Sequence, residues 1–277
     1  MSDSTLNMAL RSRLDSRTAE TATKATQSIV PPALFLIALV VLWAIGSAYG
    51  VVPNYLLPSP AAIANEFLNN SAVLLKHAAA TTLEALSGFA IGSIAGLVAA
   101  TALSFSPVLR EAFYPYALIS RAIPFIVFTP LVVVLLGRGL PPIIAIVSFS
   151  VYFPTFLNMM RGLSAADADY HEMLHTLSAT PLQRLRLVDF PVSMPYLFAA
   201  LKVSASGAFI SALVTEWIGA NVGLGYLVVV SGQYFKLPMM WASIFTSAFL
   251  TLALLGAVTF AEKLLGRFTA TASEIGT

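Results

Sequence analysis

The sequence predicts an all-α integral membrane protein with about six transmembrane helices, on two observations. Of 277 residues, 58% are hydrophobic and only 10% charged, and the mean hydropathy is +0.84. Soluble proteins carry roughly a quarter charged residues. The apolar residues also gather into runs near 20 residues, the length a helix needs to cross a bilayer. Lipid offers no hydrogen-bond partners, so these runs must be helical. The alternating pattern of a membrane barrel is missing.

Residues 1–32 are Ser/Thr-rich, carry Arg11, Arg13, Arg17 and Lys24, and read as a polar cytoplasmic tail. A secretory signal would place its apolar stretch nearer the start. Spans are expected at roughly 33–52, 83–105, 113–136, 140–160, 192–215 and 239–262. Between the first two lies an expected outer loop from Val51 to about Thr82. In it Ser59 precedes Pro60 as an N-cap before a short amphipathic helix. Residues 33–265 thus form one transmembrane domain, and 266–277 a second cytoplasmic tail. There is no sequence repeat.

Orientation follows from the basic residues. With the N-terminus inside, Arg11, Arg13, Arg17, Lys24, Arg110, Arg161, Arg184, Arg186, Lys263 and Arg267 are cytoplasmic. Lys76, Arg138 and Lys236 fall outside, which is a clear positive-inside bias. The net charge of +2 has no concentrated basic face, so nucleic acid is not an expected partner. Cysteine is absent, which excludes disulfides and thiolate chemistry.

Residues 167–190 (DADYHEMLHTLSATPLQRLRLVDF), closed by Pro191, form a charged island between two apolar runs. Asp167 is a good N-cap for a first helix, with Asp169 and Glu172 adding negative charge near its positive end. Tyr170, Leu174 and Leu177 recur at i, i+4, i+7 and make one apolar face. Thr180, Pro181 and Gln183 form a proline-led capping box for a second short helix. Pro191 stops it and opens the next span. A knob of two helices that exposes apolar and charged groups suits helix-in-groove recognition.

The spacing of Glu172, Ser178, Val188, Phe190 and Pro191 resembles the EAA loop of binding-protein-dependent ABC transporter permeases. Further segments resemble the subfamily importing nitrate, sulfonates, taurine and related compounds. These are Leu56-Leu57-Pro58-Ser59-Pro60, Thr81 to Phe89, Ala122-Ile123-Pro124 with Pro130-Leu131, Phe153 to Asn158, and Thr215-Glu216-Trp217 with Gly223-Leu224-Gly225-Tyr226. Together they cover about residues 52–265. The chain departs from the pattern at Ser178, where the family has glycine, and at Met173 and Leu174, where it has alanines. If that glycine serves a left-handed helix end, serine there costs about 1 kcal/mol.

The resemblance implies a type I ABC importer permease-like fold and a homodimer in the bacterial inner membrane. It implies two copies of an ABC ATPase subunit docked on the island, and a periplasmic or lipid-anchored substrate-binding protein. ATP and Mg would be bound by the partner ATPase and no cofactor by this chain. The sequence has no G-x-x-x-x-G-K-[ST] phosphate loop, so it is not expected to be an enzyme. Glu172 would be a docking residue. A small anion such as a sulfonate, taurine or nitrate is the family-level solute; pyrimidine precursors and aromatic acids stay open.

Inside the spans, Gly88, Gly92 and Gly96 stand four apart and are read as helix packing. Ser204, Ser206 and Ser211 are either interhelical hydrogen-bonding groups or the polar wall of a passage. Arg121 and Lys202 either snorkel to the surface or attract an anionic solute. Glu216 is read as an interfacial or packing group near the outer gate. Asn221 to Tyr226 is read as a turn or re-entrant piece. No paired buried carboxylates or H-E-x-x-H are read. His171 and His175 are spaced for a metal but lack a third ligand, so no metal site is expected. Stand-alone secondary transport or a channel is the alternative reading. It calls for intramembrane ion-coupling groups, which the sequence does not convincingly offer.

Overall fold

In the computed structural model, residues 30–32, 34–50, 53, 56–120 and 124–273 are described, and among them all regular structure is helical. The chain divides into two compact units, residues 1–65 and 66–277. In the first, helix α1 (Val30–Ala48) is long and apolar enough to cross a membrane. Trp43 Nε1 donates to the Pro58 carbonyl at 3.1 Å, which pins the loop back onto that helix. Helix α2 (Pro60–Asn69) begins as the serine–proline pair predicts, with Ala62 N donating to Ser59 Oγ at 3.2 Å.

The second unit holds α3 (Ser71–Ser104), α4 (Pro107–Ser120), α5 (Thr129–Leu136), α6 (Leu140–Gly162), α7 (Ala168–Thr176), α8 (Pro181–Arg184), α9 (Phe190–Gly219), α10 (Leu224–Gln233) and α11 (Leu237–Ser273). Of these, α3, α6, the 181–219 stretch and α11 have spanning length and hydropathy. The fourth, fifth and sixth expected spans coincide with α6, α9 and α11, and α11 continues beyond the expected end.

Two expectations change. The outer loop is largely helix, because α3 starts at Ser71 and runs unbroken for 34 residues. Hydropathy marks only where lipid begins, and nothing between Ser71 and Thr82 breaks a helix. The third expected span is not one rod. A 3-10 turn at Phe125–Phe128 follows Pro124, whose ψ of 93° is extended, and α5 adds only eight residues. Proline withholds an N–H and disfavours a helical residue before it, so the segment divides there.

The core lies where α3, α6 and α9 meet, around Ala85, Ile143, Val147, Ala208 and Phe209. Without a hydrophobic force between helices in lipid, close van der Waals approach must hold them together. Gly88, Gly92 and Gly96 provide it. A Cβ on Gly88 would lie 2.5 Å from Val147, one on Gly92 would overlap the Ser148 carbonyl, and one on Gly96 would lie 2.8 Å from the Tyr152 carbonyl.

Candidate functional site

The loop 167–191 folds from its own local signals. Asp167 Oδ1 accepts from Asp169 N at 3.3 Å, starting α7. The helix ends with Ser178 N donating to His175 O and Ala179 N donating to Leu174 O, both at 2.9 Å. That pair of bonds needs a left-handed residue between them, and Ser178 has φ 54°. Serine tolerates this region less well than glycine, so Ser178→Gly is expected to stabilise the fold by up to about 1 kcal/mol, read as a higher melting temperature in detergent. An unchanged or lower melting temperature would show that the turn carries no strain. At α8 the capping box closes: Gln183 N donates to Thr180 Oγ1 at 3.3 Å and Thr180 N to Gln183 Oε1 at 2.7 Å, with Pro181 at the first position.

The apolar face expected from Tyr170, Leu174 and Leu177 splits in two. Leu174 is buried, whereas Tyr170 is 45% and Leu177 70% exposed. Met173 and Leu182 are exposed as well, so the outward apolar patch is Tyr170, Met173, Leu177 and Leu182, with the exposed Glu172 among them. Tyr170 and Met173 on α7 and Leu177 at its C-cap are spaced i, i+3, i+7, and tertiary burial of Leu174 decides which stripe is left free.

A bracket ties this knob to the long helix behind it. Asp189 is only 4% exposed and closes a π-helical turn, Leu185–Asp189, that feeds directly into α9. Its Oδ1 lies 3.2 Å from His171 Nε2 and its Oδ2 3.4 Å from Arg184 Nε. One carboxylate at the base of α9 thus stands within ion-pair distance of α7 and α8, without a hydrogen bond from Arg184 Nε or to its own Oδ1, while Pro191 sits in the first turn of α9. The pairing also gives His171 a structural partner. Among the described residues no cluster fit for a metal exists.

At the other end of α9, Glu216 is wholly buried. Of the two expected readings, interfacial or packing, its burial fits the packing one. Thr81 Oγ1 donates to Glu216 Oε1 at 2.6 Å; Gly225 N and Tyr226 N donate to Oε2 at 2.6 and 3.4 Å. Leu224 N donates to Thr81 Oγ1 at 2.8 Å, and Gly223 N lies 3.0 Å from His77 Nδ1. Every one of the first four amides of the α10 start is held by a side chain from α3 or α9. A helix leaves four such donors unsatisfied, and its positive end favours an anion. Gly223 has φ 134°, and a Cβ there would collide with the Glu216 carboxyl; a Cβ on Gly225 would overlap the Leu213 carbonyl. The glycines of the GLGY segment are thus places where only backbone fits.

Glu84, 3% exposed, lies one turn beyond Thr81 and contacts the Glu216 carboxyl. The expectation of no paired buried carboxylates is therefore corrected: α3 and α9 bring two together from 132 positions apart. The available signal was a glutamate inside an apolar run, which is paired by default at membrane depth.

The remaining path candidates separate. Arg121 lies outside the described residues. Lys202 Nζ is 2.5 Å from Glu262 Oε2, both about a third exposed, so it faces a carboxylate on α11. Ser204 is buried, and its hydroxyl has no hydrogen-bond partner among the described residues. Ser206 is half-buried. Ser211 donates to Ser150 Oγ on α6 at 2.8 Å and borders a cavity that Ser204 and Ser206 do not line.

A profile of the family described as "Binding-protein-dependent transport system inner membrane component" matches residues 90–269. The chain is 30% identical over 240 residues to a "Probable ABC transporter permease protein" of Haemophilus influenzae, covering 87% of this chain and 97% of that protein. It is also 30% identical to the riboflavin transport system permease protein RibX of Chloroflexus aurantiacus, covering 85% and 88%. More distant relatives are the taurine permease TauC of Escherichia coli and the nitrate permease NrtB of Synechocystis, at 22% and 23% identity. A solved chain of the MetNI methionine ABC transporter, inward facing, shares the fold at a TM-score of 0.53 and 22% identity, covering 72% of this chain and 95% of that one.

Proposed function

The chain belongs to the binding-protein-dependent transport system inner membrane component family, as an ABC transporter permease, and on that premise we propose that it moves a small solute inward by alternating access, driven by partner ATPases. The observation that carries the proposal is the exposed Tyr170–Met173–Leu177–Leu182 patch on a knob locked to α9. An apolar patch of that kind on two capped helices fits a groove on a partner.

In this reading the knob faces the cytoplasm, in line with the positive-inside bias, and each copy of a homodimer docks one ATPase subunit there. A binding protein delivers solute to the opposite face. ATP and Mg are bound by the ATPase chain, where closure brings the two knobs together. The 30 residues of α9 are about 45 Å of rod, long enough to carry that displacement across the bilayer. Stiffness comes from the capping box, the closed helix end at Ser178 and the Asp189 bracket. Glu172 orients the docked partner.

Glu172→Lys, or deletion of 170–180, is expected to abolish solute-stimulated ATPase activity in the assembled complex while membrane insertion persists. Coupling that survives both changes would refute the assignment. Recovery of an ATPase chain with the purified permease separates this reading from a stand-alone secondary transporter. The buried Glu84–Glu216 pair is the group best suited to ion coupling, but Glu216 is occupied in holding α10, which favours a structural duty.

The anionic solute comes from the family resemblance, and Arg121 and Lys202 are the residues whose alternative reading would attract it. With Lys202 facing Glu262, attraction of an anion gains no support from that residue. The similarity to RibX keeps larger organic solutes within the proposal.

A further inference from the structure

Resting on the importer reading, we propose that the cavity between the divided third segment, α6 and α9 is the solute's resting place in the membrane, and that it takes a flat aromatic or heteroaromatic ring. The cavity has a volume of about 350 Å³, within the range of small-ligand sites, and none of its lining residues is charged. Its walls include Phe125 from the 3-10 turn and Phe149 and Phe153 from α6. Phe125 and Phe153 stack at 5.1 Å with 9° between planes, and Phe149 leans on both at 5.6 and 6.4 Å. Phe149 is 54% exposed, so it offers an open ring to a visitor. Aromatic rings favour offset or edge contact with other rings.

The polar groups are few and convergent. Ser211 donates to Ser150 Oγ, which leaves Ser150 its own hydroxyl proton to give. Pro154, also on the wall, cannot supply the usual helical N–H to the Ser150 carbonyl four residues earlier. A hydroxyl donor therefore sits among phenyl rings, a pattern that matches a ring nitrogen or an oxygen substituent on a ring. The backbone makes the same point. At membrane depth, a break such as that at Pro124 is tolerated where it is buried in protein or lines a cavity, and here Pro124 is part of the wall. Phe149 to Pro154 lie in the middle of the 23 residues of α6, the depth at which transporters hold their cargo. A small anion would find no cation on this wall, and an unpaired charge there is costly.

The test uses the complete complex, with its ATPase and binding protein, in proteoliposomes supplied in turn with labelled riboflavin, formylaminopyrimidine, taurine and nitrate. ATP-driven uptake of at least one of the two ring compounds is expected. Phe149→Leu, which keeps bulk but removes the ring, should lower that uptake about tenfold, and Phe149→Tyr should largely restore it. Because Phe149 is exposed, both variants should assemble with the ATPase on size-exclusion chromatography. Uptake of taurine or nitrate alone overturns the ring assignment and leaves the importer standing. So does ring uptake that Phe149→Leu leaves unchanged, or an assembled complex that takes up none of the four. A permease that neither recovers an ATPase chain nor drives any uptake overturns the importer reading as well.

Discussion

Glu216→Ala is expected to destabilise the protein by about 3–5 kcal/mol, the range seen when one partner of a buried charged network is removed. The magnitude follows from what the carboxylate holds. Thr81 Oγ1, Gly225 N and Tyr226 N all donate to it inside the bundle, and Glu84 contacts it as well. Truncation leaves those groups without partners where water cannot replace them, at roughly 1–3 kcal/mol each. The start of α10 would detach from α3 and α9. Glu216→Gln should fall between, since an amide oxygen still accepts but its NH₂ group cannot. Thermal melting in detergent, with yield of folded protein from membranes, reads both. An alanine variant that melts within a degree or two of the parent would show that α10 is held by packing alone.

Asp189→Ala should separate folding from coupling. Its carboxylate is buried, but Arg184 and His171 are 43% and 33% exposed, so the stability loss should be modest, about 1–2 kcal/mol after solvent screening. The functional loss should be larger, at least about tenfold in ATP-driven uptake, as small misplacements far from a working site can cost. The reason is mechanical. Without the bracket, α7 can rock on the base of α9, and movement of the knob is absorbed before it reaches the spans. The expected signature is a complex that assembles and hydrolyses ATP but no longer answers to solute. Uptake that stays at the parent level would mean the local turns suffice as a lever. The Ser178→Gly variant, which tightens the same turn without touching the bracket, should keep its coupling.

Residues close in sequence explain what was legible in advance. Asp167, Thr180, Pro181 and Gln183 act on neighbours within three residues, so their caps follow from local chemistry alone. The same holds for the left-handed turn at Ser178 and for the break at Pro124, where the proline's local effect outweighs the apolar run around it. Gly88, Gly92 and Gly96 were readable as a packing stripe because period and size suffice; their partner helix was not.

The family match, the helical class and the apolar runs followed from the sequence by itself, because hydropathy, helical period and capping are properties of contiguous residues. Tertiary structure alone decided that Leu174 turns inward while Met173 joins the outer patch. It also decided that Asp189 gathers His171 and Arg184, that Glu84 meets Glu216, and that three phenylalanines and two serines share a cavity. The carboxyl pair and the shared cavity depend on helices distant in the chain arriving at one place, and the energy of a buried polar contact is set by that meeting rather than by anything written beside the residue.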